Sequence, residues 1–154
     1  MSAPLHLPAV AIIQARAPSA TPRVAVVLGS GWGGLTQHIE DAVCISYADL
    51  DGFPQATVAG HSSELWLGRI GGQQVAVMAG RKHGYETGAV DAMKTPLRVL
   101  QALGCEVLVQ TNAAGSLRAT MPPQSLMAIT DHINFPQRSP LVGESGSQRF
   151  VGMV

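Results

Sequence analysis

Charged side chains are scarce in this chain, since Asp, Glu, Lys and Arg together make up 13% of its 154 residues. Ten basic and ten acidic residues leave a formal net charge of zero, so no basic surface is available for nucleic acid or for an anionic membrane. We therefore expect no nucleic-acid partner and no membrane partner. Any anion that the protein uses must be bound by a few local groups.

Cysteine is almost absent, and the two that occur, Cys44 and Cys105, both lie in apolar stretches. They are expected to be buried thiols rather than a disulfide, which fits a reducing cytoplasm. Apolar runs are short as well, and none could span a bilayer. The apolar segment at residues 5–13 has no basic residue before it and contains His6 and Pro8, which argues against a signal peptide. The expected location is the cytoplasm.

Aliphatic side chains, by contrast, are plentiful: hydrophobic residues make up 46% of the chain, enough for the core of one α/β domain. Apolar runs bounded by turn residues predict strands, and apolar spacings of three and four predict helices. No repeat or linker divides residues 1–154, which are expected to form a single domain with a mixed or parallel sheet. The expected helices cover residues 9–17, 35–39 and 89–103, the last with Pro96 as an objection and a source of a kink. The expected strands cover residues 24–28, 43–47, 64–70, 73–78, 107–111 and 126–130, with Gly71 and Gly72 as a tight hairpin turn.

Three of the expected strands end in turns of small and polar residues, after Leu28, Met78 and Thr111. Ligand groups of such sheets gather beyond the strand ends. The first turn is rich in glycine, which lets backbone N–H groups face an anion, and Ser30 adds a hydroxyl donor. The second turn carries Arg81, a bidentate donor for phosphate, and a histidine two residues later. A glycine turn without a ligand and a solvated basic loop remain alternative interpretations.

The glycine-rich turn also matches the sequence pattern of dinucleotide-binding sites. Gly29, Gly31 and Gly34 have the spacing of the dinucleotide-binding fingerprint, and Asp49 or Asp51 lies about twenty residues further on, where a ribose-binding acid belongs. That fold packs a full crossover helix on the sheet after the third glycine. The chain leaves room for barely two helical turns before its next strand, which weighs against dinucleotide binding.

Two further kinds of site, a metal site and a catalytic serine, have even less support in the sequence. A metal site drawn from His61, His83 and His132 has no close helical spacing and no cysteine or acidic ligands around it. Ser30 is not set in the Gly-x-Ser-x-Gly elbow of a catalytic serine, and no acid and base follow it in a recognisable order. We expect neither a metal nor a covalent nucleophile.

Five motifs, in order, resemble those of purine nucleoside phosphorylases of the trimeric class, over nearly the whole chain from Thr21 to Phe150. They are Gly29-Ser-Gly-Trp-Gly-Gly-Leu35, Gly60-His61, Gly80-Arg-Lys-His-Gly-Tyr-Glu86, Thr111-Asn-Ala-Ala-Gly-Ser-Leu117 and Asp131-His-Ile-Asn134. Methylthioadenosine phosphorylase shares this scaffold, but the Thr-Asn-Ala-Ala-Gly-Ser form is nearer to the enzymes that cleave inosine, guanosine and xanthosine. The resemblance implies an α/β fold with a mixed, twisted central sheet flanked by helices.

The resemblance also implies an activity: reversible phosphorolysis of purine (deoxy)nucleosides to the free base and the pentose 1-phosphate, in purine salvage. The implied catalytic residues are His83 and Arg81. The implied phosphate-binding residues are Ser30, His61, Arg81, Lys82, His83 and Ala113, and the implied nucleoside-binding residues are Tyr85, Asn112, Ala114, Gly115 and Phe150. The family works as homotrimers, in which Phe150 would lean into a neighbouring subunit. It needs no metal or organic cofactor, and inorganic phosphate is a co-substrate.

Two departures from the family pattern bear on function. Thr87-Gly88 stands where the family usually has glycine directly after Tyr85-Glu86, which leaves the contacting residues in place. The sequence also stops at Val154, whereas family members continue and carry the residues that recognise the purine. We therefore expect an incomplete domain, truncated at its C-terminus and inactive alone. The alternatives are a non-catalytic phosphate- or nucleotide-binding fragment and a dinucleotide-binding oxidoreductase domain.

Overall fold

The computed structural model describes residues 7–54 and 62–144. This part of the chain contains α1 (Leu7–Arg16), β1 (Val24–Val27), β2 (Glu40–Ser46), β3 (Glu64–Ile70), β4 (Gln73–Ala79), α2 (Gly84–Thr87), α3 (Lys94–Ala102) and β5 (Val107–Gln110). Two short 3-10 helices, Gly33–His38 and Tyr47–Asp49, precede and follow β2. None of the helices in the described ranges is long and apolar enough to cross a bilayer.

The five strands form one sheet in the order β2-β3-β4-β1-β5. β1 is parallel to both of its neighbours, β4 and β5, whereas β3 is antiparallel to β2 and β4. Gly71 and Gly72 join β3 to β4 with φ of 56° and 78°, the positive values that a tight two-residue hairpin requires. The predictions of a mixed sheet and of this hairpin are confirmed.

Apolar side chains are buried on both faces of the sheet because successive residues of a strand point to opposite sides. On one face, α1 and α3 cover the larger cluster. Its buried members include Ile13, Val27, Leu65, Met78 and Leu100. The smaller cluster on the other face contains Val26, Leu28, Ile39, Val75, Val77 and Ala79. The central strands β1 and β4 contribute to both clusters and form the most deeply buried part of the described fold.

The helix expected over residues 89–103 is shorter than the apolar spacing suggested, since α3 runs from Lys94 to Ala102. Pro96 is the third helical residue and is buried. In the first turn of a helix the backbone N–H groups have no partner within the helix, so proline costs no hydrogen bond there. Pro96 therefore lies at the start of the helix rather than in its interior.

The prediction of a strand at residues 126–130 was wrong. A strand needs a neighbour to pair with its backbone N–H and C=O groups. In the described ranges β5 is the last strand, and residues 111–144 contain neither helix nor strand. Leu126, Met127 and Ile129 are exposed instead of buried. The apolar run of this segment is present, but no strand of the described residues pairs with it.

The expectation that both cysteines are buried was wrong for Cys44. Its thiol is exposed, that of Cys105 is half-buried, and both cysteines are free. Cys44 lies on the edge strand β2, where Val43 and Ile45 take the side that faces the core. Burial raises the pKa of Cys105 to about 11, so this thiol stays protonated at neutral pH.

The described residues leave the side chains of β5 about half exposed. Val107, Leu108 and Val109 retain 53%, 47% and 43% exposure, although they pair in register with the well-buried β1. The other edge of β5 pairs with no strand in the described ranges. An unpaired edge with apolar side chains is a template for association with another chain.

We expect the 154-residue chain to self-associate through β5. Gel filtration over a range of protein concentrations should show species larger than the monomer. Val109→Lys should shift the population toward monomer, because an edge lysine opposes pairing with a second strand. Gln73→Lys, an exposed position on β4, is the charge-matched control and should change nothing. A monodisperse wild-type monomer with cooperative unfolding would contradict this expectation.

Candidate anion-binding site

The parallel strands β1, β4 and β5 bring three loops to the same edge of the sheet, because parallel strands share the edge at which they end. These loops are residues 28–34, 80–86 and 111–116. Backbone hydrogen bonds continue past the strands, from Leu28 N to Met78 O and from Thr111 N to Val27 O, both at 3.0 Å. The three turns that the sequence singled out are therefore neighbours in the fold.

Thr111 lies at the centre of this edge and contacts the other two loops. Its hydroxyl accepts a hydrogen bond from Gly29 N at 2.8 Å and donates to Val27 O at 3.2 Å. Its carbonyl oxygen accepts from Arg81 Nη1 at 2.7 Å. A Cβ at Gly29 would lie 2.4 Å from Thr111 O, so this approach of two backbones requires glycine.

The glycine-rich turn leaves backbone donors unused. Gly29 N is bonded to Thr111, and Trp32 N donates to Gly29 O at 3.2 Å. The N–H groups of Ser30 and Gly31 have no hydrogen-bond acceptor among the described residues. Gly31 has a φ of 86°, which orients this part of the turn and which glycine adopts without strain. Successive free N–H groups in such a turn are an anion-binding feature.

Arg81 and His83 lie side by side in the second loop. Arg81 Nε is 3.4 Å from His83 Nε2, and His83 Nδ1 is 2.8 Å from a carboxylate oxygen of Glu86. This geometry fits a hydrogen bond between Nδ1 of the ring and the Glu86 carboxylate. Glu86 also accepts from His83 N at 2.7 Å. The ring of Tyr85 stacks on that of His83 at a centroid distance of 4.9 Å.

Two hydroxyl groups hold the backbone from which this second loop departs. The buried Tyr47 donates from its hydroxyl to Gly80 O at 2.9 Å, and Ser62 donates to Ala79 O at 3.0 Å. Burial raises the pKa of Tyr47, so its hydroxyl keeps the proton that it donates. Arg81 follows directly after Gly80, and these bonds therefore fix the position from which its side chain starts.

Sequence reasoning assigned no role to three of these residues, Glu86, Tyr47 and Thr111. For Glu86 a signal was present, since an acid three residues after His83 is the spacing of a helix capping box, and α2 begins there. For Tyr47 and Thr111 the contacts are with residues 33 and 30 positions away in the chain, Gly80 and Arg81. Only the fold shows that these residues meet.

The other predicted site residues make fewer contacts with these loops. Lys82 is partly buried, and its N–H points toward the sulfur of Met93 at 3.4 Å. Asn112 is exposed and donates to Ala113 O at 3.4 Å, and Ala114 and Gly115 are exposed in the same loop. His61 and Phe150 lie outside the described residues. No cluster of three possible metal ligands occurs within the ranges 7–54 and 62–144.

Gly29→Ala should destabilise the fold, because its Cβ would have to displace backbone atoms of Thr111 and Asn112 that would lie within 3.0 Å. Overpacking of this kind costs about 1–3 kcal/mol in the free energy of unfolding. Gly34→Ala is the matched control: its Cβ would meet nothing within 4 Å, and we expect a change of less than about 0.5 kcal/mol or a slight gain. Urea denaturation of both variants measures the difference. Equal stabilities would show that β1 and β5 do not approach as described.

Known proteins resemble this chain in sequence. The family model described as the phosphorylase superfamily matches residues 23–154. Purine nucleoside phosphorylase 1 of Geobacillus stearothermophilus is 44% identical over 127 residues, which are 82% of this chain and 46% of that protein. Purine nucleoside phosphorylase of Mus musculus is also 44% identical, over 75% of this chain and 40% of its own length. The chain thus spans about half the length of the curated relatives it matches.

Solved structures give the same result for the fold. Isoform 2 of purine nucleoside phosphorylase from Schistosoma mansoni, in complex with cytosine and ribose-1-phosphate, superposes with a TM-score of 0.67 at 35% identity. The match covers 76% of this chain and 41% of that one. The resemblance drawn from the five motifs is confirmed, as is the nucleoside phosphorylase fold. The chain belongs to the phosphorylase superfamily, and the relatives named above are purine nucleoside phosphorylases.

Proposed function

We propose that this chain carries the phosphate-binding part of an enzyme that phosphorolyses purine (deoxy)nucleosides. The observation that carries the proposal is the meeting of Gly29, Arg81 and Thr111 at one sheet edge. The chain that forms this edge is 44% identical to proteins named purine nucleoside phosphorylase. Inorganic phosphate is the proposed co-substrate, and we propose no metal or organic cofactor.

In this reaction a phosphate oxygen forms a bond to C1′ as the glycosidic bond breaks. The bonding electrons leave with the purine, which takes up a proton, and the products are the free base and the pentose 1-phosphate. The transition state places a cationic sugar beside an anionic nucleophile. Such a reaction is favoured chiefly by positioning and by prearranged charge. Fixed donors around the phosphate are therefore the chemistry that this site has to supply.

The described donors fit that requirement. Arg81 uses Nη1 to bond Thr111 O and Nε to approach His83, and its Nη2 has no partner in the described ranges. The N–H groups of Ser30 and Gly31 are also available. A guanidinium and backbone donors of this kind are the usual partners of phosphate oxygens. His83 lies beside this guanidinium, with its Nε2 atom 3.4 Å from Arg81 Nε.

The remaining assignments belong to the same proposal. Phosphate would be held by Ser30, His61, Arg81, Lys82, His83 and Ala113, and the nucleoside would contact Tyr85, Asn112, Ala114, Gly115 and Phe150. Tyr85 has the exposure that a ligand contact needs, because 82% of it is accessible while its ring stacks on His83. We further propose a homotrimer that acts in purine salvage in the cytoplasm, with residues 1–154 as part of one domain.

The proposed activity is tested with two proteins. The 154-residue chain alone should release no hypoxanthine from inosine at saturating phosphate. A chimera in which residues of this chain replace the matching 127 residues of the Geobacillus stearothermophilus relative should turn over, because it supplies both halves of the site. An inactive but folded chimera would overturn the proposed function. Turnover by the isolated chain would overturn only the claim that further residues are needed.

In the active chimera, Arg81→Ala should raise the Michaelis constant for phosphate about tenfold to a hundredfold, because it removes a charge-assisted contact worth about 1.5–3 kcal/mol. Arg81→Lys should recover only part of the loss, since a point charge cannot replace the planar fork. Ser30→Ala removes one neutral donor and should cost less, about 0.5–1.5 kcal/mol. An Arg81→Ala effect confined to the nucleoside would place the arginine outside the phosphate site.

A further inference from the structure

Thr111 joins the three strand ends through one side chain and one carbonyl group. Its hydroxyl is bonded to Gly29 N and Val27 O, both on the chain that leaves β1. Its carbonyl oxygen is bonded to Arg81, on the loop that leaves β4. The residue itself is the first after β5. Of the residues proposed to hold phosphate, only Arg81 takes part in these bonds. Thr111 itself is not one of them.

The hydroxyl determines which backbone donors of the glycine turn stay available. Gly29 N is the first N–H of the turn, and it is directed away from any ligand because it donates to Thr111 Oγ1 at 2.8 Å. The next two, of Ser30 and Gly31, remain without an acceptor among the described residues. The bond from Gly29 N to Thr111 thus fixes the backbone directly before these two N–H groups.

The carbonyl group of the same residue limits the rotation of Arg81. Nη1 donates to Thr111 O at 2.7 Å, and the other end of the guanidinium, Nε, faces His83. With Nη1 and Nε both held, the planar guanidinium has a single orientation. Nη2 is its one nitrogen without a partner in the described ranges. The glycine turn and the guanidinium are therefore set relative to each other by one residue.

We propose that Thr111 is a positioning residue for inorganic phosphate, aligning the Ser30 and Gly31 N–H groups with the guanidinium of Arg81. This inference rests on the proposed function, because it takes phosphate as the anion. It assigns the hydroxyl to the geometry of the phosphate site and not to contact with either substrate. Thr111→Val removes the hydroxyl at nearly constant shape and leaves the carbonyl, so it tests the hydroxyl alone. Thr111→Ser keeps the hydroxyl and loses only a methyl group.

The experiment is a titration with inorganic phosphate, followed by the amide NMR signals of Ser30 and Gly31, of the 154-residue chain carrying Val109→Lys in every sample so that it stays monomeric. Thr111→Val should weaken phosphate binding on the order of tenfold, because misaligned donors no longer meet the oxygens together. It should also speed amide hydrogen exchange of Gly29 several-fold, because that N–H loses its acceptor. Thr111→Ser should stay within about twofold of wild type in both measurements.

A matched control separates positioning from simple loss of stability. Ile45→Val removes one methylene group from a fully buried position on β2, a strand that pairs with β3 and not with β1, β4 or β5. It should lower the free energy of unfolding without changing phosphate affinity. If Thr111→Val proves too unstable to titrate, Thr111→Ser still tests the proposal. A Ser variant that folds but loses phosphate affinity would contradict it, because that variant keeps the hydroxyl.

The outcomes separate this inference from the proposed function. Wild-type binding that Thr111→Val leaves unchanged would overturn the positioning role and leave the phosphate site intact. Equal losses in Thr111→Val and Ile45→Val would likewise overturn it, since stability alone would then explain both. A wild-type chain that shows no response to phosphate would contradict the phosphate site itself, and the positioning role would be lost with it.

Discussion

The contact between the carboxyl ends of β1 and β5 is the constraint on which the candidate site depends. The two backbones approach so closely at Gly29 that a Cβ there would lie 2.4 Å from Thr111 O. The parallel pairing of β1 with β4 and β5 brings three loops to one edge, but parallel pairing alone does not set their spacing. The hydrogen bonds from Gly29 N and Arg81 Nη1 to Thr111, 2.8 and 2.7 Å long, set the spacing of the loops.

The electrostatics of the chain follow from its low charge. Several surface cations are neutralised by carboxylates, as in the pairs of Arg16 with Asp49 and of Arg69 with Asp41, both at 2.6 Å. Exposed pairs of this kind contribute little to stability. Arg81 differs, because within the described ranges its contacts are a carbonyl oxygen and an imidazole and not a carboxylate. Its positive charge is therefore available to an anion, which a chain with zero net charge cannot attract by its overall field.

Packing is uneven along the chain. Strands β1, β3 and β4 have fully buried residues, among them Ala25, Leu65 and Ala76, and this core is covered by α1 and α3. From β5 onward apolar side chains such as Leu117 and Phe135 are exposed, and the chain has no further helix or strand up to residue 144. The better-packed strands hold the first two loops of the site. The third loop begins on β5, so its first residue, Thr111, relies on hydrogen bonds more than on apolar packing.

The sequence alone determined the strands at residues 24–28, 64–70 and 73–78 to within a residue, the hairpin between the last two, and the three loops beyond strand ends. Apolar runs and turn chemistry are local features, which is why the sequence shows them. It also determined the family, since five motifs in order are specific where each alone is not. Only the tertiary structure decided that β1 lies between β4 and β5, that Thr111 contacts both Gly29 and Arg81, and that residues 126–130 form no strand. The physical reason is that pairing and burial depend on partners distant in the chain. An apolar run such as that at residues 126–130 has the same sequence whether or not a neighbouring strand is there to cover it.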